Sequence, residues 1–230
     1  ILSYAGIQSL IMEDKIQTKV HAPFGPMLME FTIPQPYVDM FNKYADNITK
    51  SVEKSKQLDH SNNLVGNVKQ EHKIEEHLWQ EKPKGVEQSF FTWVASCSNV
   101  YVKTHLQRQG DEEDNQKMKN KNIKSLNLHN SWIVNQVAGD FNPPHMHSGL
   151  LSAAGWLKVP ESIEKGEERE EAGWIEWLFA DPHPFINPKY PFKPQAGKVM
   201  FFPSWLQHQV YPFRGKGIRR SISFNVTPKY

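Results

Sequence analysis

Cysteine is nearly absent from this chain. Cys97 is the one thiol in 230 residues, so no disulfide can form within the chain, and a reducing, cytoplasmic location is expected. Long hydrophobic runs are missing too. A membrane-spanning helix needs about 18 to 20 apolar residues, and no stretch here supplies them, so no membrane partner is expected. The start at Ile1 shows no basic, apolar and small-residue leader, so a signal peptide is not expected. Charge of one sign is scarce: the formal net charge is +2, too little to imply a polyanionic partner. The local basic run from Lys117 to Lys124 reads as a solvated loop rather than a nucleic-acid patch. Internal repeats, phosphate-binding glycine loops, dinucleotide fingerprints and nucleophile elbows are absent, which removes the functions they carry.

What is present fits one β-rich domain. Charged residues make up 23% and apolar ones 38%, close to ordinary shares, and β-rich folds of this length commonly stay undivided. A single domain over residues 1–230 is expected, with strands and supporting helices in 1–125 and the core in 126–230. Pro23, Gly25-Pro26 and Pro34 break an alternating stretch from Gln17 to Pro34, predicting two short strands. After Pro36, the steps between Val38, Phe41, Tyr44 and Ile48 predict a helix with one apolar stripe. Asp59 to Gly66 reads as a polar loop, while Val68 to Trp79 fits either a short helix or an irregular lid. Ser89 to Leu106 predicts the strongest helix, with Phe90, Trp93, Val94, Cys97, Val100, Tyr101 and His105 on a broad face. Gly110 to Asn127 is a charged connector.

Strands are predicted at Asn130–Val137, Leu150–Val159, Trp174–Phe179, Lys198–Phe202, His208–Pro212 and Ile218–Val226. The glutamate-rich stretch from Glu161 to Glu171 reads as an exposed linker, and the five prolines of Pro182 to Pro194 as an ordered loop. Short strands in this number suit a two-sheet roll better than a parallel α/β sheet.

The chemistry concentrates in the last third. Side chains two apart on a strand share a face, so His145 and His147 can offer two imidazoles to one ion, and His208 from a distant strand can complete a triangular face. A facial set with open positions suits non-haem Fe(II), whose vacant sites take a co-substrate and dioxygen. Arg219 supplies a permanent charge and a planar fork for a carboxylate, and Ser221, of the same strand parity, a hydroxyl donor. Arg220 takes that role instead if the register slips by one; Arg219 is preferred because it shares parity with Ser221 and Ser223, whereas Arg220 goes with Ile222 and Phe224. His21, His60, His72, His77, His105, His129 and His183 read as surface or satisfied core residues.

From about Ser131 to Pro228 the chain resembles the 2-oxoglutarate- and Fe(II)-dependent dioxygenases, and within them a branch associated with phages and bacteria. The matching text is Asn142-Pro143-Pro144-His145-Met146-His147, Leu151 to Pro160, Phe202 to Val210 and Arg219 to Asn225, the last two being the more specific. The resemblance implies a mainly β fold, a double-stranded β-helix (jelly roll) with N-terminal helices packed on its main sheet. It also implies Fe(II), 2-oxoglutarate as co-substrate, and oxidation of a C–H bond with release of CO2 and succinate. His145, His147 and His208 would hold the metal, Arg219 and Ser221 the far carboxylate of 2-oxoglutarate, and Asn135 would hydrogen-bond the co-substrate. Trp156, Trp174, Trp177 and Trp205 either wall the pocket or fill the core.

One position departs from the family pattern. Its usual carboxylate is replaced by His147, which leaves a ferrous centre one unit more positive. Asp140 or Asp181 could supply a carboxylate from a loop. Two other readings stay open: a cupin-like three-histidine dioxygenase that uses no keto acid, and a non-enzymatic jelly-roll metal-binding or virion-associated protein. The partners expected are a small-molecule co-substrate and a prime substrate that the fold does not choose, with the resemblance leaning toward peptidyl or prolyl groups.

Overall fold

Alternating burial along each strand separates two faces, and the register between strands fixes which residues share them. The computed structural model describes residues 25–61, 66–68, 70–109, 124–166 and 170–229. Its N-terminal part carries β1 (Met29–Thr32), α1 (Gln35–Thr49), α2 (Val52–Gln57), β2 (Glu71–Lys73), α3 (Glu76–Gln80) and α4 (Phe90–Gln109). Then follow β3 (Ser125–Gln136), β4 (Asn142–His145), β5 (Leu151–Lys158), α5 (Glu161–Glu164) and β6 (Ile175–Leu178). Strands β7 (Lys189–Phe192), β8 (Lys198–Pro203), β9 (Gln207–Val210) and β10 (Arg219–Lys229) complete the described chain.

A major sheet has the order β1-β8-β5-β10-β3-β2, and a minor sheet the order β4-β9-β6-β7. Every neighbouring pair is antiparallel. From β3 to β10 the chain alternates between the sheets, except where β6 and β7 pair within the minor one. That winding is the jelly roll expected from the sequence.

The pleat of the major sheet divides the core in two. Ile133, Leu157, Ile222 and Phe224 face the helices, where Phe41 of α1 and Phe90, Trp93 and Val94 of α4 bury against them. Trp156, Met200 and Phe202 face the minor sheet and pack with Ile175 and Trp177. Helix α1 begins with Pro36 in its first turn, where a missing N–H costs nothing. Cys97 is buried in α4, and burial pushes its thiol up to about 12, so it behaves as an unreactive apolar side chain.

Several local expectations are refined. Val68–Trp79 contains both a strand, β2, pairing with β3, and the short helix α3. The proline-rich stretch holds β7, whose Pro191 is tolerated because β7 is an edge strand. Val100 is 48% exposed rather than on the buried face of α4. Strand β3 starts at Ser125, ahead of the expected Asn130, because β10 runs on to Lys229 and pairs with it there. Of the two strands expected between Gln17 and Pro34, β1 is found; residues 17–24, like most of the Lys117–Lys124 run, lie outside the described residues.

Candidate metal centre and its pocket

His145 ends β4 and stands directly across from His208 of β9. His147 lies past the end of the strand, where its backbone N–H donates to the Ser204 carbonyl at 2.9 Å. Met146, between the two histidines, turns outward and is 61% exposed. A buried polar chain braces this corner: the Ser152 hydroxyl bonds Ser204 Oγ at 3.0 Å and Asn225 Oδ1 at 2.6 Å, and Asn225 donates to Asn130.

The ligand nitrogens of His145, His147 and His208 all lie within 4.8 Å of one another, and among the described residues no carboxylate joins them. Asp140 is spent elsewhere, its Oδ2 accepting the Val137 N–H at 3.0 Å, and Asp181 is exposed. His145 Nδ1 lies 2.8 Å from the Pro143 carbonyl and His208 Nδ1 3.0 Å from the Leu206 carbonyl. A carbonyl only accepts, so both Nδ1 atoms carry the proton and both Nε2 lone pairs are left free. Burial, with the neighbouring rings second, brings His147 down to about 4 and His208 well below its ordinary value; burial also lowers His145, against the Pro143 bond. Three neutral imidazoles therefore converge at pH 7.

The nitrogens Nε2 of His147 and His208 are 3.1 Å apart. Two lone pairs at that distance repel unless a proton or a cation sits between them. Two ligands on adjacent octahedral positions at ~2.1 Å from one ion would be about 3.0 Å apart, so the donor set fits a divalent transition metal. Asn142 Nδ2, 3.3 Å from His145 Nε2, is the nearest competitor for that lone pair.

The cluster opens on a cavity of about 150 Å³ also lined by Trp132, Val134, Gln136, Trp156, Arg219 and Ser221. Arg219 is 3% exposed. Its Nε donates to the Gly173 carbonyl at 2.8 Å, its Nη1 to Gln136 Oε1 at 3.1 Å, and its guanidinium lies 6.0 Å from the Trp156 ring. No carboxylate pairs with it among the described residues, and burial lowers it to about 9, still protonated at neutral pH.

Arg220 points the other way. Its guanidinium is engaged by Asn135 Oδ1, the Asn42 carbonyl and Oδ1, and Asp46 Oδ1 at 2.7–3.1 Å. Asn135, expected at the co-substrate, belongs to this group: it accepts from Arg220 and sits on the helix side of the sheet, outside the cavity. Its neighbour Gln136 takes the place in the pocket, because Arg219 pairs with Gln136 and Arg220 with Asn135 in the β10–β3 register. Of the four tryptophans singled out, Trp156 lines the cavity, Trp177 is core, Trp174 packs partly buried beside it, and Trp205 is 55% exposed. Sequence reasoning missed Gln136, Val68, His60 and Glu71, which line the same cavity; no local motif marks them, since only cross-strand pairing brings them there.

Residues 130–225 match the sequence profile of a family described as "Putative 2OG-Fe(II) oxygenase". No curated protein matches the chain. Among solved structures, a prolyl-4-hydroxylase from Pseudomonas putida is 13% identical with a TM-score of 0.50, the match covering 86% of this chain and 91% of that one. The viral collagen prolyl hydroxylase of Paramecium Bursaria Chlorella virus-1, in complex with 2-oxoglutarate, is 12% identical with a TM-score of 0.49, covering 86% and 94%. Residues 130–225 are thus similar in sequence to the 2OG-Fe(II) oxygenases, and the chain shares its fold with the Pseudomonas putida prolyl-4-hydroxylase.

Proposed function

We propose that this oxygenase hydroxylates a C–H bond of its prime substrate while 2-oxoglutarate is decarboxylated to succinate, with Fe(II) held by His145, His147 and His208. The observation that carries the reading is the convergence of three neutral imidazoles beside a buried guanidinium that has no carboxylate partner among the described residues. Fe(II), when bound, supplies the redox chemistry that activates dioxygen.

The chain's own residues place and shield the reactants. Arg219 binds the far carboxylate of the keto acid with the donors left over from Gly173 and Gln136, and Ser221, next but one on β10, adds its hydroxyl. Gln136 holds the fork in plane. Trp156 closes the wall behind Arg219 and keeps water away from the ion pair. A cavity of about 150 Å³ is below the ~300–1,000 Å³ typical of ligand pockets, so it suits the small acid, and the prime substrate enters from the mouth beside Met146.

The cupin-like alternative draws support from the all-histidine donor set. The unpaired Arg219 argues against it, since an unfilled cationic site has no use without an anionic co-substrate. The test is succinate release from 2-oxoglutarate with Fe(II) and oxygen, paired with metal titration by Mn(II) electron paramagnetic resonance. Near-stoichiometric binding that is lost on His145→Ala, His147→Ala or His208→Ala, with succinate formed by the parent protein, is the expected result. Metal binding without any succinate would transfer the protein to one of the other two readings, and retention of metal by His147→Ala would remove that residue from the ligand set.

A further inference from the structure

Glu71 is buried to 1% exposure, and its Oε2 has no hydrogen-bond partner among the described residues. It is the one carboxyl group among the described residues lining the metal cavity. Its direction follows from register. Glu71 pairs with Val134, Val134 with Ser221, and Ser221 with Trp156, so these four side chains form one row across the major sheet on the cavity side. At ~4.8 Å per strand, Glu71 stands about 10 Å along that row from Ser221. The anion clamp and the carboxyl thus occupy opposite ends of one pocket.

The wall near Glu71 is aromatic. Trp132 lies 5.4 Å from His147 and 5.9 Å from His60, centre to centre, and both Trp132 and His60 line the cavity. A carboxylate, which accepts N–H bonds, beside an indole face suits an ammonium ion, attracted by the charge and by the ring. No ligand-side function is left for an anion there, since Arg219 is at the far end.

We propose that Glu71 recognises the prime substrate, and that this substrate carries a protonated amine. That the amine belongs to a substrate rests on the oxygenase reading above, whereas its recognition by Glu71 can be measured apart from it. A buried carboxyl without a partner is held protonated: burial, and then the charge of Asp59, push Glu71 up to about 8. His60, the other titratable group on that wall, is kept toward its neutral form by burial and by Lys73. An arriving ammonium favours the carboxylate, so the carboxyl proton passes to solvent as the ion pair forms.

The test is calorimetric titration at pH 7 of n-butylammonium and of the isosteric neutral 1-butanol, on protein loaded with Mn(II) and 2-oxoglutarate and on metal-free protein. Buffers of different ionisation enthalpy give the proton count. The parent protein should prefer the ammonium at least tenfold and release close to one proton per ion bound; Glu71→Gln should reduce the preference below twofold and abolish the release. Equal affinity for the two probes, or an unchanged preference in Glu71→Gln, would overturn the inference. Should that variant not fold, a proton count below one half in the parent protein does the same. Failure to bind Mn(II) or 2-oxoglutarate with the ammonium preference intact overturns the oxygenase reading and leaves recognition by Glu71 standing.

Discussion

At the scale of single residues, burial sets the chemistry. Arg219 is the clearest case, because two of its donor groups are fixed on Gly173 and Gln136 while the charge has no counter-ion among the described residues. Arg219→Lys keeps the charge but loses the fork, and charge-assisted hydrogen bonds of ~1.5–3 kcal/mol correspond to about 10- to 150-fold weaker binding of 2-oxoglutarate, measurable as its dissociation constant. Glu71 makes a pH prediction. Its folded value near 8 lies above the ordinary 4.5, so the fold favours the protonated acid. The stability this group contributes is complete below the unfolded value and is lost as pH rises through the folded one. At ~1.4 kcal/mol per unit the loss is on the order of a few kcal/mol. Glu71→Gln should flatten the fall in urea-unfolding stability between pH 5 and 8 and make the variant more stable than its parent at pH 8. An unchanged slope would show that another group sets it.

At the scale of elements, adjacent residues on one strand are sent to unrelated tasks. Arg219 enters the cavity, and Arg220 ties β10 to α1 through Asn42 and Asp46 and to β3 through Asn135. Losing Arg220 leaves a buried acceptor on Asn135 and half-buried ones on Asn42 without donors, while Asp46, 56% exposed, regains water. Arg220→Ala should therefore cost ~2–3 kcal/mol in urea unfolding with the affinity for 2-oxoglutarate changed less than about twofold. A variant with normal stability and lost 2-oxoglutarate binding would instead give the clamp to Arg220. Gly66 and Asn67, ahead of β2, are equally constrained. Gly66 lies so close to β4 that a Cβ there would come within 2.4 Å of the Phe141 carbonyl, while the Asn67 N–H donates to that same oxygen. Val68 and Glu71, which follow, line the candidate metal pocket.

At the scale of the molecule, the major sheet separates a helix-side core from a site-side cavity. Phe90 of α4 packs edge-on or tilted against Tyr37, Phe41, Trp79 and Phe224 on the helix side. Phe90→Ala should remove ~3–5 kcal/mol of stability, read from the urea midpoint, while Mn(II) affinity of the folded protein stays within about twofold, since the three histidines lie beyond the other face of the sheet. A large loss of metal affinity would mean that the two faces are mechanically coupled.

The sequence by itself determined the candidate ligand types, their order and their parity: His145 and His147 two apart, His208 on a later strand, and Arg219 in step with Ser221. It also marked α1, α4 and most core strands, because a 3.6-residue or two-residue period is a local property. Only the tertiary structure decided that Gln136 and not Asn135 faces Arg219, that His147 sits past a strand end on the Ser204 carbonyl, and that Glu71 joins the pocket. Those facts depend on register between segments far apart in the chain and on the burial that shifts each titratable group, and neither quantity is written in any short stretch of residues.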